Sequence, residues 1–231
     1  FVKIFYKRKG RGSDPKPFIV PRVLEIDEEF MEAIGMYVGD GKLSNDKHHL
    51  EFTSIDPDMI KFMLNFFRKR LNLKNSDIRF LLTYKNGSEN PFRNWVSYLG
   101  IPSSEIHTAQ SDRHRNESFS MQIGGLIFRY FFGEIVKKLL AIDLLEDAGL
   151  RRGFLRGLYA AEGGMGVVKS QNYIAYIAFH FSYENEQSLS ALVKRLLSME
   201  GISSREIIRK DKGERYLQIT NWRNYHLCWK I

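Results

Sequence analysis

The chain says the same thing twice. One copy opens with FMEAIGMYVGDGKLS (30–44) and the other with FLRGLYAAEGGMG (154–166). Both are short apolar runs at helical spacing that end in an acid followed by glycine. After the first comes KLSNDKHHLEFTS (42–54), a hairpin turning near Asn45-Asp46, then IDPDMIKFMLNFFRKRL (55–71), an amphipathic helix with Asp56 as N-cap and Pro57 at its first position. After the second comes VVKSQNYIAYIAFHFS (167–182), a hairpin turning near Gln171-Asn172, then the helix YENEQSLSALVKRLLSM (183–199). The strand-to-helix junctions align as FTSIDPDMI with FSYENEQSL. DIRFLLTY (77–84) then matches REIIRK (205–210), SFSMQIG (118–124) matches ERYLQIT (214–220), and a closing helix over 126–140 matches one beginning near Trp222. Each copy therefore reads helix, hairpin, helix, hairpin, helix, an α+β pattern of two αββαββα halves.

The expected divisions are a basic arm (1–27), a first half (28–145) and a second half (146–231). The first half carries an insertion, 86–116, with a short helix over PFRNWVSYLG (91–100) and the polar, basic run SDRHRNES (111–118). A loop of that length is functional or a surface excursion.

Charge narrows the partner. Net charge is +8, with 43% hydrophobic and 27% charged residues, so a folded basic protein with a sizeable core is expected. A polyanion, nucleic acid first, is the natural ligand. Residues 1–22 hold seven Lys/Arg against the single acid Asp14, which makes the arm either a phosphate-binding strap or a solvated tail. No apolar run approaches the ~18 residues of a membrane span, so no membrane partner is expected. Cys228 is the only cysteine, which excludes an internal disulfide and a multi-cysteine zinc site. It fits a reducing, intracellular compartment, cytoplasmic or organellar.

The two motif helices carry the chemistry. Gly35 and Gly39 are spaced i, i+4, as are Gly157 and Ala161, so each helix has one small face. Glycine inside a helix costs about 1 kcal/mol relative to alanine, and close helix-to-helix contact is the natural compensation. Asp40 and Glu162 each close a motif helix ahead of Gly41 and Gly163, residues suited to a C′ position. A carboxylate there faces the negative end of the helix dipole, and convergence of the two adds like-charge repulsion. Divalent cations between them would remove both penalties, and Mg²⁺ suits few carboxylates plus substrate phosphates.

The segments AIGMYVGDG (33–41) and LRGLYAAEG (155–163) resemble the paired signatures of the LAGLIDADG homing endonucleases, and the repeat extends the resemblance over roughly residues 28–225. The resemblance implies halves packed through the motif helices and a saddle of antiparallel sheets against the major groove of double-stranded DNA. It makes Asp40 and Glu162 the catalytic, metal-binding pair, with the carbonyls of Gly39 and Ala161 assisting, two or more Mg²⁺ ions, and cleavage of both strands by a monomer to leave 3′ overhangs. By register Ser54, Tyr183, Gln122 and Gln218 occupy the places around the acids. No lysine fills the charge-stabilising slot that the family usually has.

Alternation along the hairpins nominates DNA-reading residues: Lys42, Ser44, Lys47, His49, Glu51 and Thr53, with Arg79 and Lys85 on the third strand. In the second half they are Lys169, Gln171, Tyr173, Arg205, Arg209, Lys210, Lys212 and Arg215. Arg and Lys read guanine, Gln reads adenine, and all can contact phosphate. Lone histidines such as His107, His180 and His226 read as structural or surface groups. Alternatives are an RNA-intron maturase, a non-cleaving nucleic-acid-binding protein, and an intein-derived domain. With neither a Cys or Ser opening the sequence nor a His-Asn pair closing it, splicing is not expected. A small-molecule α/β enzyme is disfavoured, because GDGK and EGGMG lack the strand-before, helix-after context of a phosphate loop.

Overall fold

The computed structural model describes residues 1–5, 17–43, 49–112, 116–141, 143–168, 173–228 and 231. The elements run β1 (Val2–Ile4), β2 (Phe18–Val20), α1 (Glu28–Asp40), β3 (Gly41–Leu43), β4 (His49–Ser54), α2 (Pro57–Leu71), β5 (Ile78–Tyr84), α3 (Phe92–Leu99), β6 (Ile106–Gln110), β7 (Ser118–Gly124) and α4 (Leu126–Leu139). They continue with α5 (Ala148–Glu162), β8 (Gly163–Val168), β9 (Tyr173–Ser182), α6 (Gln187–Met199), β10 (Arg205–Arg209), β11 (Glu214–Ile219) and α7 (Trp222–Cys228). The chain divides into two compact units: Phe1–Ile26 with Asp40–Leu139, and Asp27–Gly39 with Leu140–Ile231. Helix α1 thus belongs with the second unit, and the strand that follows it belongs with the first.

The first unit is built on a five-stranded sheet of order β3-β4-β7-β5-β6. Alternation puts Leu50, Phe52, Phe80, Leu82, Phe119 and Met121 on one face, all buried. Helices α2 and α4 pack on β4 and β7. Helix α2 starts as its sequence predicts: the Asp56 carboxylate accepts the Asp58 N–H at 2.8 Å and Pro57 takes the first position. It ends at Asn72 in the left-handed region (φ 58°).

Two features depart from expectation. The sheet is mixed, because β6, inside the insertion, pairs parallel to β5. A parallel pair needs a crossover, and α3 supplies it. Trp95 of α3 stacks on Phe119 at 5.1 Å and donates its indole N–H to Glu117 at 3.0 Å, which ties the crossover to the core. The N-terminal arm is also more than a tail. β1 and β2 form an antiparallel pair in which Phe18 and Val20 are buried, and Phe18 meets Phe128 at 5.1 Å. Residues 6–16, which hold most of the arm's charge, lie outside the described residues. Phe18→Leu is expected to lower unit stability by about 1 kcal/mol through lost ring contact. An unchanged urea midpoint would return β2 to the solvated-arm reading.

The second unit carries a four-stranded antiparallel sheet of order β10-β11-β9-β8. Its covered face presents Phe179, Phe181, Leu217 and Ile219 to α5 and α6. The Asp147 carboxylate caps α5 by accepting the Leu150 N–H at 2.9 Å. Arg151, itself buried, donates from Nε to Glu200 at 2.6 Å and from Nη1 to the Leu145 and Glu146 carbonyls at 2.9 Å, so a buried charge is matched donor by donor. Cys228 lines an apolar cavity with Leu155, Tyr159, Ile177 and Phe179, and burial pushes its thiol up to about 11. At neutral pH that favours the protonated thiol over the thiolate.

Candidate metal and nucleic-acid site

Helices α1 and α5 touch backbone to backbone. A Cβ on Gly157 would overlap the Glu32 carbonyl oxygen and come within 2.9 Å of the Met36 nitrogen. One on Gly35 would overlap the Phe154 carbonyl and lie 2.7 Å from the Leu158 nitrogen, and one on Gly153 would overlap the Glu28 carbonyl. The small faces read from the sequence are therefore in contact, and Gly153 extends the stripe one turn further than was read. Arg156 fastens the pair from the side, its guanidinium 2.7 Å from both Glu28 and Glu32.

At the far end of the stripe a Cβ on Gly39 would overlap the Ala161 side chain and lie 3.0 Å from Glu162 Cγ. Glu162 is thus set against the last residue before Asp40. Neither acid is followed by a left-handed glycine. Gly163 is extended (φ −84°, ψ 154°), its N–H donates to the Tyr159 carbonyl, and Gly41 has no positive φ. Each helix runs straight into a strand, and at Gly163 the requirement is space. A Cβ on Gly163 would collide with the Tyr159 carbonyl and ring.

Burial raises the Asp40 carboxyl to about 6. Between pH 4 and 6 the folded chain holds a proton that the unfolded chain has released, so this group's contribution to stability falls as pH rises through that window. Above pH 6 the charged, half-exposed carboxylate costs on the order of 1–2 kcal/mol after allowance for solvent screening. Asp40→Asn should therefore gain on wild type, in metal-free buffer, as pH goes from 4 to 7. A difference in thermal midpoint that stays constant with pH would contradict this.

Among the described residues no group of three or more His, Cys, Asp or Glu could hold a metal ion.

Among the described residues, each sheet has a second face opposite the one on which its helices pack, called here its open face. In the first unit it carries Lys42, His49, Glu51, Thr53, Gln122 and Arg79. Glu51 is the hub: Lys42 Nζ lies 3.2 Å away, the Thr53 hydroxyl donates at 3.0 Å and the Gln122 amide at 3.4 Å. The Thr53 and Ser120 hydroxyls lie 2.8 Å apart. Lys85 sits just past β5 in a turn, where its carbonyl accepts from Ser88, so it is not a strand residue as expected. Ser44 and Lys47 lie outside the described residues, as do Lys169 and Gln171.

In the second unit the open face carries Arg205, Arg209 and Gln218, while Lys210 and Lys212 are exposed in the β10–β11 turn. Tyr173 pairs with Val168 at the start of β9. Arg215 departs from its nomination. It shares the covered face with Leu217 and Ile219, is buried, and is ion-paired to Glu206. Alternation within ERYLQI already assigns it to that side. Ser54 and Tyr183 also depart from the places read around the acids, for both serve strand-to-helix corners. The Ser54 hydroxyl accepts the Asp56 N–H at 3.1 Å, and the Tyr183 ring lies between Lys210 and Arg215. Gln122 and Gln218 are the two of that set found on open faces.

Sequence reading missed a notch of about 140 Å³ formed by Tyr176, His180, Tyr216, Arg209, Ile207 and Gln218, over Ala178. The His180 and Tyr216 rings meet edge to face at 4.7 Å, and the Arg209 guanidinium lies 5.5 Å from the Tyr216 centroid. Alternation of Tyr176, Ala178 and His180 along β9 is the signal that would have found it.

Neither a protein-family model nor a curated protein matches this sequence. Among solved structures the chain is similar to mesophilic variants of the homing endonuclease I-DmoI, with TM-score 0.55 and 13% identity over 89% of this chain and 96% of that one. It is similar to I-DmoI in complex with DNA and Mn at TM-score 0.55 and 13% identity, over 90% and 97% of the two chains. It is also similar to the homing endonuclease I-WcaI bound to its DNA recognition sequence, at TM-score 0.53 and 16% identity over 89% and 80%. At these identities the likeness establishes the fold, an α+β architecture shared with the group whose motifs the sequence resembles.

Proposed function

We propose that the chain is a divalent-metal-dependent endonuclease. It binds duplex DNA through the open sheet faces and hydrolyses a phosphodiester in each strand to leave 3′ overhangs. The observation that carries this reading is the contact of Gly39 with Ala161 and Glu162, which brings the ends of the two motif helices together. I-DmoI in complex with DNA and Mn, and I-WcaI on its recognition sequence, supply the precedent for the fold.

The residues fit a cation. Burial disfavours the charge on Asp40, and a bound divalent ion would restore it. Asp40, Glu162 and the carbonyls of Gly39 and Ala161 would hold the ions. A divalent ion held there would supply Lewis-acid polarisation and activation of the attacking water. Asp40 and Glu162 would supply the negative charge that offsets the cation's. Arg209, Lys210 and Lys212, exposed at the end of β10 and in the turn after it, neutralise phosphates, so affinity should fall steeply with salt.

The test is incubation of the chain with a randomised duplex library in Mg²⁺ or Ca²⁺, with structured RNA as competitor. Double-strand breaks in Mg²⁺, and salt-sensitive binding without cutting in Ca²⁺, are expected. Preference for the RNA with no DNA cleaved would replace this reading with the maturase.

A further inference from the structure

The two open faces share a row that the repeat makes equivalent. In the first sheet, register sets Lys42 beside Glu51, Glu51 beside Gln122, and Gln122 beside Arg79. In the second it sets Gly164 beside Ala178, Ala178 beside Gln218, and Gln218 beside Arg205. Each row starts two residues after its motif acid and crosses the four corresponding strands in the same order. The glutamine and arginine are identical in the two rows, and the first two positions differ.

That difference changes what the glutamine presents. In the first row the Gln122 amide NH₂ is turned to Glu51, which also holds Lys42 and Thr53. Its carbonyl oxygen is left as the outward group, an acceptor for an exocyclic amine. In the second row Ala178 stands where Glu51 would. Gln218 can then use amide N–H and C=O together, the pattern that pairs with adenine, and Ile207 beside it in the notch offers an apolar surface to the thymine methyl.

We propose that Gln122–Arg79 and Gln218–Arg205 are equivalent base-reading pairs. Glu51, by holding Gln122 and Lys42, makes the N-terminal half prefer a different base pair from the C-terminal half. The inference rests on the duplex-DNA reading above and names the specificity determinants of that site. It also gives Glu51, an acid on a face meant for phosphates, a reason to be there: it orients donors, and it repels a backbone that slides into register over it.

The test is selection from a randomised duplex library in Ca²⁺ by wild type, by the Lys42→Gly/Glu51→Ala double variant and by Gln218→Ala. The double variant should exchange its preference at one base pair of one half-site for the preference found in the other half-site, with about tenfold discrimination. Gln218→Ala should relax the second half-site about tenfold at one base pair and leave the first unchanged. Urea midpoints and Glu51→Gln, which keeps the volume, report on folding. Should the double variant not fold, Gln218→Ala and Arg205→Ala carry the test in the other unit. Unchanged preferences, or a loss spread evenly over all sequences, would overturn the inference while leaving DNA binding intact. A wild-type chain that selects no duplex would overturn the reading beneath it.

Discussion

Asp40→Asn and Glu162→Gln are each expected to lower the rate of duplex cleavage in Mg²⁺ by at least about a thousandfold while leaving Ca²⁺-dependent DNA affinity within a fewfold of wild type. A metal-bound transition state draws several kcal/mol from the ion, and about 4 kcal/mol corresponds to that factor. Each substitution keeps the shape of the side chain and removes the charge that, on the proposed reading, would hold the ion. Asp40→Asn also removes a burial-disfavoured carboxylate, so the catalytic loss should come with an unchanged or higher melting temperature in metal-free buffer. Single-turnover cleavage beside thermal unfolding separates the outcomes. Full cutting by either variant would dismiss the acids as the metal site, and a fall in melting temperature would make them structural.

Gly157→Ala should destabilise the second unit by on the order of 2–3 kcal/mol, and Gly157→Leu should prevent it from folding. On a solvent-facing helix, alanine is favoured over glycine by about 1 kcal/mol. Here the added methyl would overlap the Glu32 carbonyl, which is backbone and cannot rotate away. Overpacking of that kind costs about 1–3 kcal/mol or more. Gly133 in α4 is the internal control, since a Cβ there meets nothing within 4 Å. Gly133→Ala should raise stability by about 1 kcal/mol. If urea unfolding shows both substitutions stabilising, the two motif helices do not touch.

Much of this was legible from residues because the repeat supplied its own control. A nine-residue match could arise by chance, but matching helix-hairpin-helix contexts behind Asp40 and Glu162 located nearly every element of both sheets. The small faces of α1 and α5 were readable because glycine inside a helix demands a reason. What escaped was decided by tertiary context. β6 is five residues without strong alternation, and its parallel pairing depends on where α3 deposits the chain. β2 was hidden in a run whose charge suggested solvent, although Phe18 and Val20 alternate into the core. The glycines after the acids were assigned to a C′ position on general preference, but the helices pass directly into strands, and at Gly163 it is Tyr159 that sets the spatial limit. Arg215 was nominated among the strand residues, where the alternation of its neighbours Leu217 and Ile219 puts it on the covered face. Glu51 was read as one of several groove-facing side chains, and only the register reveals it as the anchor of Lys42, Thr53 and Gln122.

The assignment of Asp27–Gly39 to the compact unit of residues 140–231 bears on how such a protein can be divided or recombined. A fragment ending at Leu139 would carry α1 with its glycine stripe bare, and the complementary fragment would expose the matching groove on α5. Neither piece is self-sufficient, yet the two should reassemble when mixed, each supplying what the other has lost. A recombination that exchanges only the N-terminal portion must therefore import a helix shaped for someone else's C-terminal portion, so the exchangeable module is bounded by Asp40, after the helix, rather than by the start of the repeat.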